Sequence, residues 1–434
     1  MNQREPIRIL HFADIHIGME NYGRIDPETG LNQRVLDFVS RLKEIVDCAI
    51  EREADVVIFA GDAFKTRDPN PTYQRAFARQ IMRLSRANVI TVLLVGNHDM
   101  PVMEQRASSV DIFATLDVPN VIVGREEKLH RIETARGVVQ IATAPWPQRN
   151  RLLKYEEYRG MTIEQLDQEM ERVLGDELQR LAGEVDAKYP AILTGHFTVG
   201  GAMFGSERNV MLGRDTVIKL SSLRLEAWDY VAMGHIHKHQ DVNRGNYPGV
   251  VYSGSLERID FGEENDPKGF CWIEAQRGNT QWRFEPMRSV RPFVSIYADA
   301  TRDGDHPTDA VLREIARHEI RDAVVRVRVK LLQHQEAMLR VGAIEEALRD
   351  AYFIAGISRD VQRDTRSRIG IQNPETLSPA ALLERYLLSK NTPRDRADEL
   401  MRAARELMND GAAQSADGRA SNLPNPGARS PQSA

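Results

Sequence analysis

The first hundred residues alternate between short apolar runs and helical patterns, and this alternation restricts the possible folds more than any other feature. The runs IRILHF (7–12), DVVIFA (55–60) and VITVLLV (89–95) are apolar on both faces, as expected of strands buried between two layers. Apolar residues at helical spacing cover 34–50 and 71–86. Because strands alternate with helices, we expect parallel strands packed between helices in an α/β fold.

The rest of the N-terminal two thirds continues this pattern. Further short apolar runs occur at 120–123, 138–142, 191–194, 229–233, 250–252 and 270–273. A polar amphipathic helix is predicted over about 162–182. With 41% hydrophobic and 28% charged residues, the chain has ample material for a core, and we assign residues 1–288 to one domain. The net charge of -5 gives no general sign of nucleic-acid binding but leaves room for a local basic groove.

Four further segments are predicted after this domain. They are a small α+β domain over 289–356, a polar linker over 357–377, a helical hairpin over 378–410 and a disordered tail over 411–434. In the α+β domain we expect strands at its start and at 324–331, and helices over 309–319 and 341–354. Ser378-Pro379 and Thr392-Pro393 are each typical of an N-cap followed by proline at the first helical position. The tail is 20 of 24 residues Gly, Ala, Ser, Pro, Asn or Gln, which cannot bury enough apolar surface to order itself.

Polar residues follow five of the apolar runs, where each predicted strand ends. The motifs are Asp14-Ile15-His16, Gly61-Asp62, Gly96-Asn97-His98-Asp99, Gly195-His196 and Gly234-His235-Ile236-His237. Each motif alone is also typical of an ordinary turn or a hydrogen-bonded histidine. In an open α/β sheet, however, functional groups gather beyond the carboxyl ends of the strands. All five motifs in this order therefore predict one common site.

The donor types of this site indicate divalent metal ions. Carboxylate, amide and imidazole groups without thiolate suit Mn²⁺, Fe²⁺ or Zn²⁺. Seven ligands are too many for one ion that must leave room for a substrate, but they suit two ions sharing one carboxylate. Such pairs sit ~3.5–4 Å apart and bind both the attacking and the leaving oxygen in phosphoryl displacement.

Together these motifs resemble those of the calcineurin-like metallophosphoesterases. The longer stretches "ADIHIG", "GNHDMP", "GHFTVGGAMFGSE", "GHIHKHQ" and "YSGSLERIDFGEENDPKGF" are similar to those of the SbcD family, the nuclease subunits of SbcCD complexes, over residues 7–410. The resemblance implies a two-sheet α/β sandwich with a small α+β capping domain and C-terminal helices. It also implies two divalent ions, with Mn²⁺ as the expected metal.

The resemblance assigns a role to each motif residue. The implied metal ligands are Asp14, His16 and His237 for one ion, Asn97, His196 and His235 for the other, and Asp62 as the bridge between them. His98 would protonate the leaving oxygen or steady the phosphate, and Asp99 would orient His98. Lys65 stands where some relatives have a histidine, so the balance of exonuclease and endonuclease action does not carry over.

The function implied is that of a DNA exonuclease and endonuclease acting within an ATP-dependent complex in recombination, repair and replication. The implied partners are DNA and an SbcC-type coiled-coil ATPase bound by the C-terminal helices. A homodimer through the segments 71–86 and 108–116, and a heterotetramer with the ATPase, are also expected. Two alternatives are a phosphodiesterase or phosphatase for small molecules such as cyclic nucleotides, and a non-catalytic scaffold for the ATPase. The capping domain and terminal helices argue against the first, and the complete ligand set argues against the second.

Some residues have two interpretations from sequence. One face of a predicted strand carries Arg326, Arg328 and Lys330. This face either follows the phosphates of bound DNA or is an ordinary solvated face. Met103, Trp146 and Trp228 either line a substrate channel or pack loops onto the core.

The location of the protein is predicted from what its sequence contains and lacks. No apolar run approaches the ~20 residues needed to span a bilayer. The N-terminus shows no long apolar secretory segment, and there are two cysteines. We therefore expect a cytoplasmic, nucleoid-associated protein without a membrane partner.

Overall fold

The structure is a computed structural model that describes residues 5–101, 106–205, 215–363, 378–390 and 392–417. The chain forms two compact units. The first contains the two large sheets and nearly all of a third, smaller sheet, and the second contains the C-terminal helices. Met103 lies outside the described residues.

The first large sheet is built around the strands predicted from the N-terminal alternation. In order across the sheet, its strands are β14 (Gln281–Pro286), β13 (Gly269–Ala275), β1 (Ile7–Phe12), β2 (Val56–Phe59), β3 (Ile90–Leu94) and β4 (Val121–Gly124). Strands β1 to β4 run parallel, whereas β13 is antiparallel to both β1 and β14. The carboxyl ends of β1, β2 and β3 therefore lie at one edge of the sheet.

The second large sheet also has a parallel centre. Its strands, in order, are β11 (Gln240–Asp241), β12 (Gly249–Tyr252), β10 (Tyr230–Gly234), β7 (Ala191–His196), β6 (Gly137–Ala144) and β5 (Lys128–Thr134). Strands β12, β10, β7 and β6 run parallel, and β11 and β5 are antiparallel edge strands. The short strands β8 (Thr198–Val199) and β9 (Val217–Ile218) form a separate parallel pair.

Helices cover the outer face of each large sheet. The described helices are α1 (Gln33–Glu51), α2 (Pro71–Arg86), α3 (Ile112–Thr115), α4 (Arg149–Leu152), α5 (Ile163–Gly183), α6 (Pro307–Ile315), α7 (Val341–Ala347), α8 (Pro379–Ser389) and α9 (Arg394–Asp417). On β1, Ile9 points into the layer between the sheets, where it joins Ile192, while Leu10 points toward the helices. The predicted α/β sandwich is confirmed, because strands with two buried faces need a layer on each side.

The starts of the main helices follow their sequence signals. Asn70 caps α2 by accepting a hydrogen bond from Thr72, and Pro71 occupies the first turn. Thr162 and Gln165 form a capping box at the start of α5, as the Thr-x-x-Gln spacing allows. The predicted helices over 71–86 and about 162–182 are thus confirmed to within a residue.

The third sheet is smaller, and its strands alternate along the chain with helices α6 and α7. Its strands are β15 (Phe293–Asp299), β16 (Val324–Leu332) and β17 (Phe353–Gln362), and β15 runs parallel to β16. The predicted helices are too long, since α6 ends at Ile315 and α7 at Ala347. The linker predicted to begin at 357 is wrong over 357–362, because these residues complete β17. The C-terminal half of β17 is largely exposed, so this strand lacks the alternation of apolar residues that is typical of a buried strand.

In the second unit, Ser378 caps α8 as predicted, accepting a hydrogen bond from Ala381. Helix α9 continues to Asp417, so the disorder predicted from residue 411 is wrong for 411–417. Alanine has a high helix propensity, and adding residues to an existing helix requires much less free energy than nucleating a new one. Residues 418–434 lie outside the described residues. Among the described helices, none is both long enough and apolar enough to cross a membrane.

Candidate metal centre

The predicted site residues come together where five strands of the two large sheets end. Asp14, Asp62 and Asn97 follow β1, β2 and β3, and His196 and His235 lie at the ends of β7 and β10. Because both sheets end at this point, residues more than two hundred positions apart in the chain lie within hydrogen-bond distance.

One group of donors surrounds His16. Donor atoms of Asp14, His16 and His237 all lie within 4.8 Å of one another. The Nε2 atoms of His16 and His237 are 3.0 Å apart, and both side chains are buried. Two buried imidazole nitrogens that face each other at this distance are an arrangement that a shared cation satisfies.

A second group of donors surrounds Asn97. Its Oδ1 lies 3.0 Å from His196 Nε2 and 3.2 Å from His235 Nδ1. Asp62 lies between the two groups, with its Oδ2 3.7 Å from His16 Nε2 and 3.4 Å from His196 Nε2. The side-chain oxygens and nitrogens of both groups are those that Mn²⁺, Fe²⁺ or Zn²⁺ accept, so the residues fit a pair of divalent cations.

Glycine precedes several of these ligands because the loops pass too close for a side chain. A Cβ at Gly61 would come within 2.3 Å of His196 Nδ1, and a Cβ at Gly96 within 2.1 Å of Asp62 Oδ1. Gly61 also has a φ of +98°, which other residues rarely adopt. The Gly-Asp and Gly-Asn pairs of the sequence are therefore required by the packing of the site.

The His98 ring makes its hydrogen bond to another group than the Asp99 carboxylate, so the predicted direct orientation of His98 by Asp99 is wrong. Its buried carboxylate instead accepts hydrogen bonds from the backbone amides of Asp62 (2.8 Å), Ala63 (3.0 Å) and Gly96 (3.2 Å). The Nδ1 of His98 lies 2.7 Å from the carbonyl oxygen of Lys65. Because a carbonyl only accepts, Nδ1 carries a proton and the ring is oriented by the Gly-Asp loop.

His98 is half-buried beside the first donor group. Its ring meets that of His16 edge-on, with centroids 4.9 Å apart. A nitrogen of His98 lies within 4.8 Å of donor atoms of His16 and Asp62. The position allows His98 to reach a phosphate bound beside the two groups.

The protonation of the site follows from burial and from the neighbouring charges. Burial raises the pKa of Asp14 to about 6 and that of Asp99 to about 7. Burial opposes the charged form of His196, but the Asp62 carboxylate outweighs it and raises the pKa of His196 to about 9. Burial likewise opposes ionisation of Asp62, yet the His196 and His98 charges keep its pKa well below the usual range. Asp62 is thus a charged acceptor between the two groups.

Two carboxylates behind the histidines were not predicted from sequence. Glu263 Oε1 lies 2.9 Å from His237 Nδ1, and Asp215 Oδ2 lies 2.9 Å from His235 Nε2. Neither follows an apolar strand, so the strand-end signal that marks the other residues does not reach them. Glu263 lies in a motif stretch that carries many other charges, and Asp215 lies outside the motif stretches, so neither stood out by its sequence position.

The two tryptophans differ in position. Trp228 is fully buried in the core between the second sheet and α5, so its packing interpretation is correct. Trp146 lies against the site, with its ring centroid 4.8 Å from that of His235. It lines a cavity of ≈ 260 Å³ together with Asn97, Arg67 and Arg149.

A family model for the calcineurin-like phosphoesterases matches residues 7–239, which contain four strands of each large sheet and all five motifs. The chain belongs to this family. The two-sheet sandwich is therefore that of a calcineurin-like metallophosphoesterase, a hydrolase, and the Asp and His donors at its strand ends are candidate ligands for divalent metal ions.

Relatives within the calcineurin-like family point to one branch. The chain is 26% identical over 296 residues to SbcD, the nuclease of the SbcCD complex, from Bacillus subtilis, covering 66% of this chain and 71% of the relative. It is 24% identical over 295 residues to the DNA double-strand break repair protein Mre11 of Thermoplasma acidophilum, covering 67% and 68%. The predicted resemblance to the SbcD type is confirmed. Among solved structures, a dimetal phosphatase from Danio rerio matches at 12% identity and a TM-score of 0.36, covering 65% of this chain and 97% of that one.

Proposed function

We propose that this chain is a two-metal DNA phosphodiesterase, the nuclease subunit of an SbcCD-type complex that processes DNA ends. The observation that carries the proposal is the place of Asp62, whose Oδ2 lies 3.7 Å from His16 Nε2 and 3.4 Å from His196 Nε2. A carboxylate between two sets of nitrogen and oxygen donors supports a shared ligand for two ions. The names of the relatives, a nuclease and a break-repair protein, support DNA as the substrate.

The two donor groups support the predicted ligand sets. One ion would be held by Asp14, His16 and His237, the other by Asn97, His196 and His235, and Asp62 would serve both. When bound, the cations would neutralise the charge that develops on the phosphodiester and lower the pKa of an attacking water. The family resemblance implies Mn²⁺, and the hard oxygen and borderline nitrogen donors are compatible with that ion.

His98 would act on the substrate directly, because its imidazole ring lies beside the metal ligands and carries a proton. Its Nδ1 proton is committed to the Lys65 carbonyl, so the other nitrogen is the one able to meet a phosphate oxygen. Its ring is half-buried, which leaves it within reach of a DNA strand. A protonated His98 would deliver a proton to the leaving oxygen or steady the phosphate.

Asp99 would support the site indirectly. By accepting the amides of Asp62 and Ala63, it holds the loop that carries the shared ligand. The same loop supplies the Lys65 carbonyl that orients His98. Asp99 is therefore a positioning residue for both Asp62 and His98.

Partners of the chain are proposed from the family and from exposed apolar residues. The C-terminal helices would bind the coiled coil of an SbcC-type ATPase, and Leu407 on α9 is 74% exposed. A homodimer would form through α2 and the α3 region, where Ile112 and Leu116 are exposed. The whole would be a heterotetramer acting on DNA in recombination and repair.

Hydrolysis of labelled duplex DNA in Mn²⁺ tests the proposal. We expect the wild-type chain to cut DNA, Asp62→Ala to abolish cutting, and His98→Ala to lower kcat by about 10²–10⁴-fold while leaving metal binding intact. Turnover of cyclic nucleotides without turnover of DNA would favour a small-molecule phosphodiesterase. Undiminished cutting by Asp62→Ala would show that the site is wrong, and binding of DNA and ATPase without any cutting would favour the scaffold.

A further inference from the structure

Glu263 is a fully buried carboxylate that stands directly behind His237. Its Oε1 lies 2.9 Å from His237 Nδ1, and its Oε2 lies 2.8 Å from Lys268 Nζ. The side chains of Glu263 and Lys268 are both 0% exposed. Burying two charged groups has a large desolvation cost, so a buried ion pair adds little net stability to the fold. The presence of this pair therefore needs another explanation.

The surroundings of this pair hold the carboxylate in one orientation. Lys268 Nζ also donates to Ser255 Oγ at 2.8 Å and to the carbonyl of His237 at 3.2 Å. Glu263 Oε2 accepts the amide of Ile259 at 3.0 Å. The carboxylate therefore has partners on both oxygens, and its Oε1 points at the imidazole.

The turn that carries Glu263 is anchored on its other side to the third sheet. This turn, Phe261–Glu263, places the Phe261 ring 5.0 Å from that of Phe293. The next residue, Glu264, accepts the amide of Ser295 at 2.8 Å. Glu263 and Glu264 are thus adjacent acids with different partners, one facing the metal centre and one facing the third sheet.

Asp215 has the same relation to the other donor group. Its Oδ2 lies 2.9 Å from His235 Nε2 and accepts from Thr198 Oγ1 at 3.1 Å. The two carboxylates contact opposite nitrogens of their histidines. Glu263 binds Nδ1 of His237, whose Nε2 faces His16, and Asp215 binds Nε2 of His235, whose Nδ1 faces Asn97.

We propose that Glu263 and Asp215 are positioning residues, each acting on one of the two cations. Glu263 holds His237 with its proton on Nδ1, which leaves the Nε2 lone pair for one ion. Asp215 holds His235 in the opposite tautomer, which leaves the Nδ1 lone pair for the other. A carboxylate behind a metal-bound imidazole also increases its basicity, and its loss typically weakens metal binding 10–100-fold. This inference rests on the proposed function.

Titration of the metal-free protein with Mn²⁺, followed by electron paramagnetic resonance of the free ion, measures both dissociation constants without any substrate. We expect Glu263→Gln to raise one Kd by about 10–100-fold and Asp215→Asn to raise the other by a similar factor. The matched control is Glu264→Gln, which loses only a contact to the third sheet and should leave both Kd values at wild-type levels.

Double variants identify which ion each carboxylate serves. In a His237→Ala background, Glu263→Gln should leave the Kd of the remaining ion unchanged, because its effect passes through the missing imidazole. Asp215→Asn in the same background should raise that Kd. Lys268→Met is a second route to Glu263, since it leaves the carboxylate without its cation, and it should weaken the same ion as Glu263→Gln.

The outcomes separate this inference from the proposed function. Wild-type protein that binds two ions, with Glu263→Gln leaving both Kd values unchanged or raising them equally, would overturn the positioning roles and leave the nuclease proposal standing. A loss of thermal stability in Glu263→Gln and Lys268→Met without any change in Kd would assign the pair to folding alone and overturn it too. Wild-type protein that binds fewer than two ions would overturn both proposals.

Discussion

Four of the proposed ligands sit in a backbone conformation that non-glycine residues rarely adopt. Asp14, His16, Asp62 and His235 have φ values of 53°, 49°, 63° and 93°. Such a conformation costs roughly 1–3 kcal/mol per residue, and it persists only where surrounding contacts hold it. Here the amide of His235 is held by the Asp14 carboxylate at 3.0 Å, and the Asp62 amide by Asp99 at 2.8 Å. Strain concentrated on ligand residues supports a site in which side-chain direction takes priority over backbone preference.

His11 is a buried histidine outside the metal centre that should make the fold sensitive to acid. Its Nδ1 lies 3.2 Å from the Tyr230 hydroxyl, and its Nε2 lies 3.2 Å from the carbonyl of Met233. Burial lowers the pKa of His11 to about 3. The unfolded chain therefore takes up a proton near pH 6.5 that the folded chain refuses. Stability present above pH 6.5 is lost as the pH falls toward 3, by about 1.4 kcal/mol per pH unit.

We predict that His11→Gln flattens this acid limb. Between pH 6.5 and 4.5, the free energy of unfolding, measured in urea, should fall less steeply in the variant than in the wild type. The two slopes should differ by about 1.4 kcal/mol per pH unit, which is the contribution of His11. The control is His306→Gln, which removes an exposed histidine and should keep the wild-type slope. Parallel slopes for His11→Gln and wild type would show that His11 does not govern acid unfolding.

At the scale of elements, β16 separates an apolar face from a basic one. Val325, Val327 and Val329 are buried in the core of the third sheet, and the alternate residues Arg326 and Arg328 are exposed. Both arginines line a cavity of ≈ 300 Å³ with Tyr22 and Phe261. The Arg326 guanidinium lies over the Phe261 ring at 4.3 Å. An aromatic and cationic surface of this kind suits a nucleic-acid backbone.

We therefore predict that Arg326→Ala and Arg328→Ala weaken DNA binding without changing the chemical step. The KM for duplex DNA should rise while kcat stays constant, and the slope of log Kd against log salt should fall by about one per variant. Lys330→Ala is the matched control, because Lys330 is paired with Asp299 at 3.3 Å. An unchanged salt slope in both arginine variants would identify this face as a solvated one.

At the scale of the whole molecule, the metal centre and the C-terminal helices belong to different compact units. All of the proposed ligands lie in the first unit, and α8 and α9 lie in the second. In the second unit Met401 is buried, while Leu407 on the same apolar stripe is 74% exposed. Partner binding and hydrolysis should therefore be separable by mutation.

We predict that Leu407→Gln weakens binding to the coiled coil of an SbcC-type ATPase by about tenfold or more, the cost of losing one buried leucine contact. Manganese-dependent DNA cutting by the isolated chain should be unaffected. Arg402→Gln introduces the same side chain at another exposed position of α9 and serves as the control. Calorimetric titration of both variants measures the effect, and equal affinities would remove α9 from the interface.

Much of the fold and of the site could be predicted because the signals are local. An apolar run with a buried face on each side, as in β1 and β2, identifies a parallel strand from a few neighbouring residues. The polar residues that end these strands could be grouped because parallel strands share one edge. Strand β17 could not be predicted in this way, because its exposed residues show no alternation of apolar and polar side chains.

By itself, the sequence determined the buried strands and the main helices between them, the donor types and the edge at which they meet, because each depends on side chains only a few positions apart. The tertiary structure decided which groups stand behind the ligands. Asp99 binds the amides of the neighbouring loop, the Lys65 carbonyl orients His98, and Glu263 reaches His237 across 26 positions of chain. These contacts depend on how separate loops pack against each other, and a hydrogen bond between loops leaves no periodic mark on either one.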